Sequence, residues 1–232
     1  MNDDPEGEQE MTAGITEAGD KRPKTGPVRL AGPPEFTSTC VLPALSKLVS
    51  RGLNLRVTLG RPAERLLDGL TKGAFDVVVS TTMPGGEHRS ATVLFKEEFV
   101  LVAGPGVAAE IDRDRLQREP AELSAVPLIA YDEDLPIVRR YWREVYGTRP
   151  VGRPAVVVAD LRAVLAMTVA GAGATVLPLY LCRQEIADGR LTALIEPPHA
   201  PSNDLYLVTE HGAQDAGVQA VVRCLQEHAP SW

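Results

Sequence analysis

Two glycines separated by one residue, Gly171 and Gly173, are the first feature of the sequence that could take part in chemistry. Closely spaced glycines bind a dinucleotide phosphate when they follow a strand and open a helix, and a third glycine then stands three residues after the second. Val176 occupies that position. Residues 161–168 have apolar side chains at helical spacing, so the glycines follow a helix. We therefore interpret Gly171 as the left-handed residue that ends this helix.

Residues that could act as nucleophiles or metal ligands form no recognisable motif. The three cysteines are far apart and give neither a CxxC pair nor a disulfide framework. Cys40 lies near a predicted helix start, where a thiolate would be stabilised, but a small buried apolar side chain is the favoured interpretation. The four histidines lack metal-ligand spacing, and no G-x-S-x-G motif occurs. The sequence therefore predicts no catalytic residues, no cofactor and no metal site.

The charge of the chain is concentrated at one end. Seven of its 31 acidic residues fall in the first 20 positions, which contain no Lys or Arg, so the other residues carry equal numbers of acids and bases. Residues 1–27 are predicted to be a disordered acidic tail. Because residues 21–232 carry no net positive charge, they lack the basic surface expected of a nucleic-acid-binding protein.

The apolar residues are distributed as in a water-soluble protein. No run approaches the roughly 18 apolar residues of a membrane helix, and the acidic N-terminal stretch is unlike a signal peptide. We expect a cytoplasmic protein that does not contact a membrane.

The first half of the body alternates strands with helices. Apolar spacing and turn residues predict the following elements: strand 28–31, helix 37–50, strand 53–59, helix 62–72, strand 75–80, and two extended stretches at 91–95 and 99–103. The uninterrupted apolar run at 75–80 is typical of a parallel strand that is buried on both faces.

The same alternation begins again after residue 126. It predicts strand 127–131, helix 136–146, strand 155–159, a helix that begins at Asp160, strand 174–177, strand 205–209 and a closing helix. Two α/β halves are therefore expected. Such halves bind ligands at the carboxyl ends of their strands, and the cleft between them is the expected site.

Five segments, in order, resemble the effector-binding domain of LysR-type transcriptional regulators. They are VRLAGPPEF, VLPALSKLV, LNLRVTLGRPAERLLDGLTKGAFDVVVS, PLIAYD and VAGAGATVLP. The resemblance extends from about Val28 to Ala229. It implies a two-lobed type II periplasmic-binding-protein-like fold with two crossover strands, in which lobe I comprises residues 28–103 and 204–232 and lobe II comprises residues 104–203.

The resemblance also implies which residues contact the effector, a small molecule bound in the cleft. Its positions correspond here to Phe36, Thr37, Ser38, Arg61 and Thr81, with Tyr131 and Asp160 across the cleft. Hydroxyl groups, an arginine and the N-termini of helices together favour a carboxylate, so an organic anion is the expected effector. A simpler interpretation stays open, in which Thr37, Ser38 and Asp160 only cap helices and Arg61 is a solvated surface charge.

Partners follow from the same resemblance. The family's winged helix-turn-helix has no counterpart in the residues before Val28, so we expect this chain alone not to bind DNA. A homodimer, or a heterodimer with a full-length relative, is expected, with the helix at 40–50 at the interface. The alternative functions are a solute-binding receptor and an enzyme on the same two-lobed scaffold.

Overall fold

The computed structural model describes residues 26–86, 88–150 and 152–232. Residues 1–25 of the predicted acidic tail lie outside the described residues.

The first lobe is built on three parallel strands. These are β1 (Val28–Gly32), β2 (Leu55–Leu59) and β3 (Val77–Ser80), in the order β2-β1-β3. In the register of the sheet, Leu30 is opposite Val57 on one side and Val77 on the other. All four residues of β3 are buried, as the apolar run predicts.

The helix after β1 begins earlier than expected. Helix α1 (Pro34–Phe36) continues through a π-helical turn (Thr37–Val41) into α2 (Leu42–Ser50). The predicted start at Thr37 is therefore wrong, because the two prolines before it begin the helix: Pro34 takes the first helical position, where its missing N–H costs nothing. Thr37 lies within the helix. Helix α3 (Ala63–Thr71) follows β2, close to its predicted bounds.

Two long antiparallel strands connect the lobes. Strand β4 (Arg89–Ala103) pairs with β9 (Ser202–Glu210) along most of its length, and its last residues pair with β7 (Ala174–Pro178). The two extended stretches predicted at 91–95 and 99–103 are thus one strand. The polar residues between them, 96–98, remain in the strand because they pair with residues 202–204.

Most of the remaining elements belong to the second lobe, whose strands are shorter than the sequence predicts. The remaining elements are α4 (Pro105–Ala109), α5 (Arg113–Leu116), a 3-10 turn (Pro120–Leu123), β5 (Ile129–Ala130), α6 (Pro136–Tyr146), β6 (Val156–Val157), α7 (Leu161–Val169), α8 (Leu179–Ala187), β8 (Thr192–Ala193), α9 (Ala216–His228) and a final 3-10 turn (Ala229–Ser231). Strands β5 and β6 form a separate parallel pair, and β8 pairs with β4. The strands predicted at 127–131 and 155–159 have five residues each, but only two residues of each pair in the sheet.

The Gly171–Gly173 run ends a helix, as interpreted. Gly171 follows α7 with a φ of +83°, and its N–H donates to the Thr168 carbonyl at 3.0 Å. At Gly173 an added Cβ atom would lie 2.0 Å from the carbonyl oxygen of Pro127, so only glycine allows β7 to approach the neighbouring chain this closely. These glycines therefore position β7.

Candidate functional site

A cavity of about 420 Å³ lies where the two lobes meet. Its wall includes the residues after β1 and β2 from the first lobe, residues after β5 and in α6 from the second, and parts of both crossover strands. This volume is within the range of about 300–1,000 Å³ that is typical of small-molecule sites.

Glu35 joins the two lobes. Its carboxylate forms an ion pair with Arg61, and its Oε1 atom accepts a hydrogen bond from the backbone N–H of Leu161 at 3.0 Å. Leu161 is the first residue of α7, so the carboxylate occupies the positive end of that helix. The side chain of Glu35 is only 2% exposed. We name this arrangement of Glu35, Arg61 and the Leu161 N–H the clasp.

The clasp extends to an aromatic ring of the second lobe. The guanidinium carbon of Arg61 lies 4.8 Å from the centroid of the Tyr131 ring, which is cation–π geometry. Burial raises the pKa of Tyr131, so this side chain stays a neutral phenol near pH 7. Arg61 therefore contacts a carboxylate of one lobe and an aromatic face of the other.

Glu97 is a buried carboxyl group on the crossover strand β4. The residue is 8% exposed and lines the cavity. Burial raises its pKa from an ordinary 4.5 to about 7, although Asn203, Arg140 and Arg61 act in the opposite direction. Among the described residues no cation forms an ion pair with it. Burial therefore opposes the ionisation of this carboxyl group.

Asn203 connects Glu97 to Arg140. It is directly opposite Glu97 in the β4–β9 ladder, and its Nδ2 group donates to Glu97 Oε1 at 3.5 Å. Its Oδ1 atom accepts from Arg140 Nη1 at 2.8 Å, and the same nitrogen donates to the Ser202 carbonyl at 2.8 Å. The amide is thus held with its oxygen towards the cation and its nitrogen towards the carboxyl group.

An aromatic cluster forms another part of the wall. Phe36 stacks on Phe95 with a centroid distance of 5.6 Å, and it meets the edges of Tyr180 and Trp232 at 5.2 Å each. Phe36 and Tyr180 line the cavity, and burial raises the pKa of Tyr180 well above its ordinary value. Ligand atoms beside this wall would therefore meet apolar surface.

Four of the seven residues expected at the site line the cavity. These are Phe36, Arg61, Thr81 and Tyr131. The other three, Thr37, Ser38 and Asp160, are near the clasp but do not line the cavity.

The positions of these three residues have local explanations. Thr37 is fully buried, and its hydroxyl group has no hydrogen-bond partner among the described residues. Ser38 accepts a hydrogen bond at 3.4 Å from Arg162. Asp160 caps α7 through the Arg162 N–H at 2.8 Å and also pairs with the Arg162 side chain, which lowers the pKa of this carboxyl group. The capping interpretation thus describes Asp160.

The sequence analysis missed four polar or charged residues of the cavity wall: Glu35, Glu97, Arg140 and Asn203. Glu97 lies in the polar stretch 96–98, where a charged residue is not unusual. None of the four residues gave a signal, because their partners are distant in sequence and only the fold brings them together.

Cys40 and Cys182 are buried, and burial raises the pKa of each thiol to about 12. Both are therefore protonated apolar groups near pH 7, in agreement with the favoured interpretation of Cys40. No helix in the described part of the chain has the length and apolar character needed to cross a membrane.

Comparison with known proteins identifies the family. Residues 21–230 match the family described as the LysR substrate binding domain. The chain belongs to this family. This LysR substrate-binding domain is 46% identical over 188 residues to the HTH-type transcriptional regulator AbaB of Streptomyces antibioticus, an alignment that covers 79% of the chain and 62% of AbaB. The chain thus spans less than two thirds of that relative. The family is a class of ligand-binding domains of transcriptional regulators, and not a class of enzymes.

Solved structures confirm the two-lobed, periplasmic-binding-protein-like fold. The C-terminal domains of a LysR family protein from Agrobacterium tumefaciens superpose with a TM-score of 0.72 at 20% identity, covering 88% of this chain and 96% of that one. Full-length LysG from Corynebacterium glutamicum, solved with bound effector Arg, gives a TM-score of 0.70 at 17% identity, covering 88% and 68%. At these identities the likeness concerns the fold alone.

Proposed function

We propose that this LysR substrate-binding domain is the sensor of a transcriptional regulator and binds its small-molecule effector in the cavity between the lobes, without catalysing a reaction. The observation that carries the proposal is the cavity itself, because both lobes and both crossover strands contribute to its wall. A ligand there would contact both lobes at once and could change their relative position. The bound effector in LysG supports the assignment of this kind of function to the fold.

The effector contacts that we propose are the four expected residues that line the cavity, Phe36, Arg61, Thr81 and Tyr131, together with Arg140. The effector is an organic acid in this proposal. Arg140 supports that choice because both of its hydrogen bonds to described residues come from Nη1, which leaves Nη2 and Nε for a carboxylate. Thr37, Ser38 and Asp160 would act only indirectly, by holding the clasp region in place.

Arg140 also provides the test. A library of organic acids, amines, amino acids and neutral metabolites would be screened by thermal shift, and Kd would be measured by calorimetry for each hit. Arg140→Gln should weaken the binding of acids by about 10-fold or more, since a hydrogen bond to a charged group contributes roughly 1.5–3 kcal/mol. Arg139→Gln is the matched control, because Arg139 is the exposed neighbour on the same helix. Equal affinities in both variants would place the site elsewhere.

Further parts of the proposal concern partners and location. We propose that the domain works in the cytoplasm as a homodimer, or as a heterodimer with a full-length relative, and that this chain by itself does not bind promoter DNA. The lack of a net positive charge on residues 21–232 supports the last point. A competitor-resistant complex with a promoter duplex in a gel-shift assay would refute it.

A further inference from the structure

Acidic side chains outnumber basic ones around the cavity. The charged residues of its wall are Glu35, Glu64, Glu97 and Asp132 on the acidic side and Arg61 and Arg140 on the basic side. A site that recognised an anion alone would be expected to show the opposite balance.

The chain itself supplies an anion to one anion-binding position of the cleft. Arg61 and the N-terminus of α7 both bind the carboxylate of Glu35. Glu35 is thus located where the carboxylate of a ligand would otherwise bind, and it neutralises Arg61. Both guanidinium groups in the wall retain nitrogens for a ligand, but Arg61 is already paired with a carboxylate, whereas Arg140 has no ion-pair partner among the described residues.

Among the described residues, neither a cation nor a helix N-terminus binds Glu97 in the way that Arg61 and α7 bind Glu35. Its contact with Asn203 is long, at 3.5 Å, and the same Nδ2 group is 3.4 Å from the Thr81 carbonyl oxygen. The bond between Asn203 Oδ1 and Arg140 fixes the amide, so Asn203 cannot turn to improve its contact with Glu97. A carboxylate that is buried without a strong donor is costly, and this one faces the cavity.

We infer that the effector carries a protonated nitrogen that binds Glu97, in addition to the carboxylate that the proposed function assigns to Arg140. The ligand is then amphoteric, with its cationic and anionic groups on either side of the Asn203 amide. This inference rests on the proposed function and narrows it to one chemical class. A metal ion fits less well, since the described residues include no group of three His, Cys, Asp or Glu side chains arranged to bind one.

The test compares four compounds of the same chain length: 6-aminohexanoate, hexanoate, hexylamine and hexanol. Their Kd values would be measured at pH 8 for the wild type, for Glu97→Gln and for Glu98→Gln, in addition to the library described above. Glu98 is the matched control because it follows Glu97 on β4 and is exposed on the opposite face of the strand.

We expect 6-aminohexanoate to bind the wild type and Glu98→Gln about 10-fold or more tightly than hexanoate does, as a charge-assisted hydrogen bond predicts. In Glu97→Gln this ratio should fall below about threefold. If nitrogen-free acids bind best, or if Glu97→Gln keeps the ratio, the inference is wrong and the proposed function stands. If no compound of either set binds, the proposed function fails and the inference fails with it.

Discussion

Replacing Glu97 with glutamine should stabilise the free protein at neutral and alkaline pH. The side chain keeps its size and its Oε1 acceptor for Asn203, but it no longer ionises. In the wild type, ionisation of Glu97 places a charge in a buried position without an ion-pair partner among the described residues. Glutamine removes this cost, so the variant should be more stable although it has lost a charged group.

The sign and the magnitude of this stabilisation follow from the pKa of Glu97. In the folded protein this pKa is raised to about 7 from an ordinary 4.5, so the folded state holds the proton more tightly than the unfolded state. The free energy of unfolding should therefore fall as pH rises from about 4.5 to about 7. At about 1.4 kcal/mol per pKa unit, the variant should gain roughly 2 to 3 kcal/mol over the wild type between pH 5 and pH 8.

Urea unfolding of both proteins between pH 5 and pH 8 measures this difference. Groups that face Glu97 also affect its titration, and they are present in both proteins: Glu35 on α1, Cys40 in the π-helical turn, Arg61 after β2, Tyr131 after β5, Arg140 on α6 and Tyr180 on α8. Glu98→Gln is the control and should not gain stability in this way. A gap between variant and wild type that stays constant with pH would refute the reasoning.

Three further predictions concern the clasp, the close approach of Gly173 to Pro127, and assembly. Glu35→Ala should lower the free energy of unfolding by about 3 kcal/mol in urea titrations, because it leaves a guanidinium and a buried backbone N–H without their acceptor, whereas Glu64→Ala, at an exposed position, should change it by less than about 1 kcal/mol. Gly173→Ala should cost about 2 to 3 kcal/mol through its clash with Pro127, and Gly85→Ala, where the added methyl group meets open space, should cost far less. Light scattering at micromolar concentration should show a dimer; a monomer would count against the proposed assembly.

Most of the fold could be predicted because each element carries its own periodic pattern. Helix α6 has the bounds that its apolar spacing predicts, and β3 is buried throughout as its apolar run indicates. The errors occurred where tertiary contacts override local preference. Residues 96–98 look like a break between two strands, yet pairing with β9 holds them in one.

The candidate site was less predictable than the fold. The resemblance to the family identified the loops that line the cavity, and four of the expected residues are there. It did not identify Glu35 or Glu97, because their importance depends on partners that are up to 126 residues away in the chain. A sequence pattern can show that a strand contains a carboxylate, but only the fold shows that no cation in the described part of the chain forms an ion pair with it.

The aromatic cluster next to the clasp contains a tryptophan whose fluorescence can report on changes at the clasp. The chain has two tryptophans; Trp142 is buried in the core of the second lobe, whereas Trp232 packs edge-on against Phe36. Phe36 is adjacent to Glu35 in the helix that carries the clasp. A ligand that moves Glu35 should therefore change the emission of Trp232, while Trp142 provides a constant background, so effector binding could be followed by intrinsic fluorescence without attaching a dye.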